Sequence, residues 1–129
     1  MDYREHYREI RATGASVVAV SVDAPDKSEV LRRKLRLPFP ILCDMKRRVI
    51  REWDIYNPRE RGGIAKPAVF VVERDRTLRY ASVDAVATRV PATEIVRILQ
   101  AVAEGQPVRR KVYVPRVADW FCAIRNLRR

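Results

Sequence analysis

The segment Val17-Val18-Ala19-Val20-Ser21-Val22 has the composition of a buried β-strand. Its residues are β-branched or small, and polar and apolar residues do not alternate before Ser21. Such a run is typical of strands covered by helices on both faces, as in the parallel sheets of α/β proteins. A buried parallel strand needs parallel neighbours, and we therefore expect helices and strands to alternate along the chain.

The remaining sequence has this alternation. Apolar residues at helical spacing predict helices at residues 3–13, after a capping box at 26–29, at 45–53, and between Pro91 and Gly105. Further strands are predicted at 41–43, 68–72 and 78–83, the last two as an antiparallel hairpin. The predicted order is therefore α-β-α-β-α-β-β-α.

The same patterns predict which side chains are buried. Gly14 is placed to end the first helix, and Asp44 to cap the third. The apolar residues expected on inward helix faces are Tyr3, Tyr7, Ile10, Val30, Leu31, Leu35, Val49, Ile50, Trp53, Ile95, Ile98, Leu99 and Val102.

Length and composition indicate one soluble globular domain. The chain has 129 residues, 47% of them hydrophobic, enough to bury roughly two-thirds of the unfolded surface. No apolar run approaches the roughly 20 residues of a membrane span, and residues 1–6 lack a signal-peptide pattern. Two cysteines are too few for a disulfide framework and indicate a reducing, cytoplasmic setting.

Three segments together resemble one protein family. VVAVSVD at 17–23, LPFPILCD at 37–44 and GGIAKPAVFVVERD at 62–75 are similar to the thioredoxin-like peroxiredoxins, specifically the redoxin or alkyl hydroperoxide reductase/thiol-specific antioxidant group. The resemblance runs over about residues 1–102. It implies a thioredoxin-like α/β fold, a mixed central sheet with flanking helices, in residues 1–105. Residues 106–129 are then a separate basic extension.

The resemblance also implies a function. Members of this family are antioxidant oxidoreductases in which a cysteine thiolate attacks the O–O bond of a hydroperoxide, releasing an alcohol and leaving a sulfenic acid. A thiol reductant such as thioredoxin then restores the thiol, without a cofactor or metal. Pro67 matches a proline that is commonly cis and faces the active cysteine. Lys66 lies where many peroxiredoxins carry an arginine that steadies the thiolate.

One departure from the family pattern changes the expectation for this chain. The family places its active cysteine at the start of the first helix, after a strand at the centre of the sheet. Here the first helix begins almost at Met1. We therefore expect a truncated, inactive chain whose reading frame continues upstream for about 40–60 residues, roughly a hairpin, a strand and a loop. That segment should encode a cysteine within about ten residues of Met1, where the helix dipole lowers a thiol pKa.

The cysteines that are present favour structural roles. Cys43 precedes a helix with basic residues and is the one candidate nucleophile, but it ends an apolar strand, which favours a small buried residue. Cys122 lies among Trp120, Phe121 and Ile124, on a buried or docking face. His6 is the only histidine, so a zinc site or a Ser-His-Asp site is not expected.

The C-terminal extension carries much of the net charge of +11. From residue 117 onward its apolar residues have helical spacing, which predicts a short basic amphipathic helix. Three interpretations stay open: a helix docked on its own domain, an interface with a partner or a second copy, and a surface for nucleic acid or membrane. The first is favoured, and no specific nucleic-acid complex is expected. The alternative function is a non-catalytic thioredoxin-like binding module that uses this tail for a protein or polyanion.

Overall fold

The structure, a computed structural model, describes residues 2–60, 62–83 and 90–108. Its helices are α1 Asp2–Glu5, α2 Tyr7–Ala12, α3 Pro25–Lys34, α4 Arg48–Glu52 and α5 Ala92–Ala103. Its strands are β1 Ala19–Ser21, β2 Ile41–Cys43, β3 Tyr56–Asn57, β4 Ile64–Ala65, β5 Ala68–Val72 and β6 Leu78–Val83. The predictions for Cys122 and for the amphipathic tail fall outside these residues.

The strands pair two by two. β1 is parallel to β2 with Val20 opposite Leu42, and β5 is antiparallel to β6 with Phe70 opposite Ala81. β3 and β4 form a short antiparallel ladder with Tyr56 opposite Ala65, in a part of the chain for which the sequence predicted no strand. Within the described residues no strand joins β1 to β5, so the predicted central sheet is present as separate pairs.

α5 and the β5–β6 hairpin form the main hydrophobic core. Val71 and Tyr80 are buried against Ile95 and Ile98, and Val102 packs at the edge of this cluster. The inward face predicted for α5 is therefore confirmed. Each buried aliphatic side chain of this kind contributes about 1.5–3 kcal/mol to stability, so this helix and hairpin hold each other in place.

The predicted first helix is broken into α1 and α2. The break lies at His6, whose backbone leaves the helical region at φ −90° and ψ 8°. Ile10 is fully buried, and Tyr7 packs on Phe39 with ring centroids 5.9 Å apart. The Tyr3 hydroxyl donates to the Val90 carbonyl at 3.2 Å. The predicted packing of the two tyrosines is confirmed, although the helix is not continuous.

α3 begins earlier than its sequence pattern predicted. Ala24 is the N-cap and Pro25 the first helical residue, because the fixed φ of proline suits that position. The prediction of a capping box at 26–29 is therefore wrong.

The buried face of α3 is also different from the prediction. Its one buried residue is Ser28, and Arg32 and Leu35 lie half-buried one and two turns later. Val30 and Leu31 are 66% and 44% exposed, so their predicted burial is wrong. The helix meets β2 through the Ser28 side, which turns Val30 and Leu31 outward.

Candidate functional site

Asp44 holds the start of α4. One carboxylate oxygen accepts from the backbone N–H of Arg48 at 2.9 Å, and the other from that of Ile50 at 3.1 Å. The predicted contact of Asp44 with the start of this helix is confirmed, although the N-cap position is Arg47 and α4 is shorter than the predicted helix. Because both oxygens are engaged and the side chain is buried, Asp44 has a structural role.

Cys43, the candidate nucleophile, ends β2 and is half-buried. Its thiol lies 3.4 Å from the hydroxyl of Ser28, which is buried on α3. A reactive thiol needs a cationic neighbour or a helix N-terminus that stabilises its thiolate. Arg47 is the half-buried basic residue nearest to Cys43 along the sequence. Its Nε donates to the Gly63 carbonyl at 2.8 Å rather than to the Cys43 thiol. This environment supports the structural role predicted for Cys43.

Lys66 and Pro67 lie between the β3–β4 ladder and β5. The Lys66 side chain is exposed, and its backbone N–H donates to the Ile55 carbonyl at 2.7 Å. Pro67 is half-buried at the start of β5. The described residues contain no cis peptide bond, so the expected cis form of Pro67 is wrong here. The trans form is the ordinary preference of an X–Pro bond, by about 0.5–1 kcal/mol.

The structure does not bring these candidates together around one cavity. Cys43 faces α3, whereas Lys66 projects into solvent beyond the β3–β4 ladder. His6 bonds through Nδ1 to a carboxylate oxygen of Glu9 at 3.1 Å on the surface. In the described part of the chain no group of three or more histidine, cysteine or acidic residues has metal-binding geometry. The sequence patterns did not predict the contact of Ser28 with Cys43, because the two residues are fifteen positions apart along the chain.

The model of the AhpC/TSA family matches residues 1–81. The chain belongs to the AhpC/TSA family. A protein of Mycobacterium tuberculosis strain H37Rv that is named as a peroxiredoxin is 31% identical over 91 residues, 67% of this chain and 58% of that protein. Peroxiredoxin 2 of Thermoplasma acidophilum is 23% identical over 124 residues, 92% of this chain and 59% of its own length. The chain thus spans 58–59% of these curated relatives.

Solved structures of AhpC/TSA proteins have the same fold. The Mycobacterium tuberculosis AhpC superposes with a TM-score of 0.71 at 22% identity, covering 92% of this chain and 62% of that one. The Enterococcus faecalis AhpC gives the same TM-score and identity over 84% of this chain and 68% of its own. The predicted thioredoxin-like α/β fold is therefore confirmed.

Within the described ranges 2–60, 62–83 and 90–108, none of the helices is both long and apolar enough to span a membrane.

Proposed function

We propose that this chain is the scaffold of a peroxiredoxin-type thiol peroxidase, and that residues 1–129 alone do not contain its peroxidatic cysteine. The family match over residues 1–81 carries the first part of the proposal. The second part is supported by Cys43, whose thiol points to the hydroxyl of Ser28.

The chemistry needs a cysteine that is accessible and held as a thiolate. Its sulfur attacks one peroxide oxygen, the O–O bond breaks, and the other oxygen leaves as an alcohol or water after taking up a proton. The cysteine becomes a sulfenic acid, which a thiol donor converts to a mixed disulfide with loss of water. A second thiol then releases the cysteine. A thioredoxin-type donor, a cytoplasmic setting and a homodimer are parts of this proposal.

Because the chain spans 58–59% of the relatives that it matches, we propose that this cysteine belongs to a part of the protein outside residues 1–129. α2 carries Ile10 into the core, and Tyr3 on α1 is tied to the Val90 carbonyl. These contacts fix the start of the described chain against α5. An element that packs beside α1 would therefore have a fixed support, which is what a catalytic thiol requires.

The test compares two proteins: residues 1–129, and the product of the reading frame extended upstream. Hydrogen peroxide consumption is followed with dithiothreitol or thioredoxin as donor. We expect no turnover above buffer for residues 1–129, and turnover for the extended protein that is lost when its upstream cysteine is changed to serine. An in-frame stop directly before Met1, or turnover by residues 1–129, would overturn the proposal.

A further inference from the structure

A groove lies between α2 and α5, which pack against each other. It has a volume of about 430 Å³. Each helix contributes three lining residues, Glu9, Ala12 and Thr13 from α2 and its C-cap, and Val96, Gln100 and Ala103 from α5. Ala12 and Ala103 are exposed beside the buried Val96. Because the two alanines are short, the groove can accept apolar side chains from another element.

The rim of the groove, formed by Glu9 and Glu104, is acidic in a strongly basic chain. Both glutamates are exposed, one on α2 and the other at the end of α5. None of the described residues that line the groove is basic, although the chain has 27 lysines and arginines against 16 acids. This local reversal of charge favours a cationic occupant.

Glu104 is also placed at the unfavourable end of α5. It is the C-cap residue, and the last turn of this helix, all of which is described, holds no basic residue. The C-terminal end of a helix carries about half a negative charge, so it is stabilised by cations rather than by acids. The neutral amide of Gln106 donates to Glu104 at 2.8 Å. A cation bound at the rim would therefore interact favourably with both the carboxylate and the helix end.

The sequence beyond the described residues contains a segment with the matching chemistry. Residues 117–129 combine an apolar stripe at helical spacing with flanking arginines: Trp120, Phe121, Ile124 and Leu127, and Arg125, Arg128 and Arg129. At 1.5 Å per residue, a helical stripe from Trp120 to Leu127 would span about 10.5 Å, and the groove from Val96 to Glu104 spans about 12 Å. The two lengths agree.

The connection from Val108 is long enough to bring this segment to the groove. Val108 packs against the cluster that contains Ile95 and Ile98, whereas the groove lies on the neighbouring face of α5. When extended, residues 109–116 span at most about 26–29 Å. A helix with its side chains is only about 10–12 Å wide, so the chain can cross α5 and return.

We propose that the groove between α2 and α5 binds residues 117–129 of the same chain as an amphipathic helix. The apolar stripe packs on Ala12, Val96 and Ala103, and the arginines lie beside the acidic rim. Apolar burial supplies the affinity, and the rim selects a basic segment over an acidic one. The short connection gives this segment an effective concentration in the millimolar range, which favours it over a second copy or a separate partner. The contact does not depend on peroxide reduction.

The test follows Trp120 in a Trp53→Phe background, where Trp120 is the only tryptophan. Trp53 packs edge-on against Phe70, and phenylalanine keeps an aromatic ring there. We expect acrylamide to quench Trp120 at least about twofold less than free tryptophan, because the indole is buried in the groove. This protection should be the same at roughly 1 and 100 µM protein, since an intramolecular contact does not depend on concentration.

Two arginine substitutions separate the groove from the rest of the surface. Ala103→Arg places a long cation among the apolar lining residues and should raise the quenching of Trp120 at least about twofold. Val30→Arg adds the same group at a position on α3 that is 66% exposed, and it should leave the quenching unchanged.

A nuclear Overhauser measurement on the Trp53→Phe chain decides the question even where Ala103→Arg does not fold. The Trp120 indole protons should show contacts with the methyl groups of Ala12, Val96 or Ala103. The proposal is overturned if these contacts are absent, if Trp120 is quenched like free tryptophan, or if the two arginine variants have the same effect. Protection that falls on dilution would also overturn it, because the occupant would then be a second copy.

Discussion

The thiol of Cys43 lies 3.4 Å from the hydroxyl of Ser28 and links the end of β2 to the buried face of α3. Ser28 is only 4% exposed, so this contact is part of the packing between helix and strand. A half-buried thiol directed at a neutral hydroxyl gains from that partner none of the cationic stabilisation that a reactive thiolate needs. This relationship leads to the first prediction.

Replacing Cys43 by serine is expected to leave the chemistry of this chain unchanged. The variant should consume hydrogen peroxide in the presence of dithiothreitol at the same background rate as the unsubstituted chain. Serine keeps a group that can bond to Ser28, so the two proteins should also unfold at nearly the same temperature. Peroxide turnover by the unsubstituted chain that disappears in Cys43→Ser would identify Cys43 as the nucleophile.

Asp44 provides a second prediction, about stability. Asp44→Ala removes the acceptor for the N–H groups of Arg48 and Ile50, and loss of such a cap costs about 1–2 kcal/mol. Asp26→Ala is the matched control, because Asp26 lies in the first turn of α3 without capping it. Asp26→Ala should lower the free energy of unfolding by about 0.5 kcal/mol, because it removes a negative charge that interacts favourably with the helix dipole. If urea unfolding shows that Asp44→Ala and Asp26→Ala lose the same free energy of unfolding, the structural role of Asp44 is contradicted.

The contrast between Asp44 and Asp26 shows what the sequence could and could not predict about local structure. Both acids precede a helical pattern, and both were predicted to cap. The tertiary fold uses only Asp44, because Pro25 starts α3 one residue before Asp26. Hydrophobic periodicity located the β5–β6 hairpin and the inward face of α5, where the apolar residues are continuous. It failed on α3, where the side that meets β2 carries a serine.

The candidate site, too, could be predicted from the sequence only in part. A structural role for Cys43 was predictable from its place at the end of an apolar strand. Its partner Ser28 was not, because the contact depends on how α3 lies on β2. Likewise, the register that places Val20 of β1 opposite Leu42 of β2 follows from strand pairing, which hydrophobic patterns along one chain do not specify.

The acid sensitivity of α3 is a third prediction. Hydrogen bonds from Arg32 and then Arg33 lower the pKa of Glu29 from its ordinary 4.5 to about 2. Because the folded-state pKa is the lower one, the stabilisation is complete above about pH 4.5 and is lost as the pH falls towards 2. The difference in unfolding temperature between the unsubstituted chain and Glu29→Gln should therefore shrink over this range.

The control for this prediction changes Arg32, whose hydrogen bond is the largest cause of the lowered pKa of Glu29. Arg32 donates from Nε and Nη2 to the two carboxylate oxygens at 2.7 and 2.9 Å. Arg32→Gln should raise the pKa of Glu29 measured by NMR, because the largest cause of its lowering is removed. A carboxyl pKa that stays at about 2 in Arg32→Gln would show that another group holds Glu29 ionised.

The fourth prediction compares the neighbouring glycines Gly62 and Gly63. Both have positive φ, +71° and +99°, so alanine is strained at either site by about 1–2 kcal/mol. A methyl group at Gly63 would also overlap the ring of Tyr56, whereas one at Gly62 meets no atom within 4 Å. The Tyr56 ring is held by the Arg51 guanidinium, 4.6 Å from its centroid. Displacing the ring would break this cation–π contact. The break adds about 0.5–1 kcal/mol to the cost of Gly63→Ala, besides the cost of the steric overlap itself.

Urea unfolding should thus rank Gly63→Ala below Gly62→Ala in stability by about 1–2 kcal/mol. The source of the difference is checked by repeating both substitutions in a Tyr56→Ala background, where the ring is absent. There the two glycine variants should become equally stable, because only the backbone strain remains. If the gap between them persists without the Tyr56 ring, the cost at Gly63 comes from its backbone conformation at φ +99° rather than from the ring.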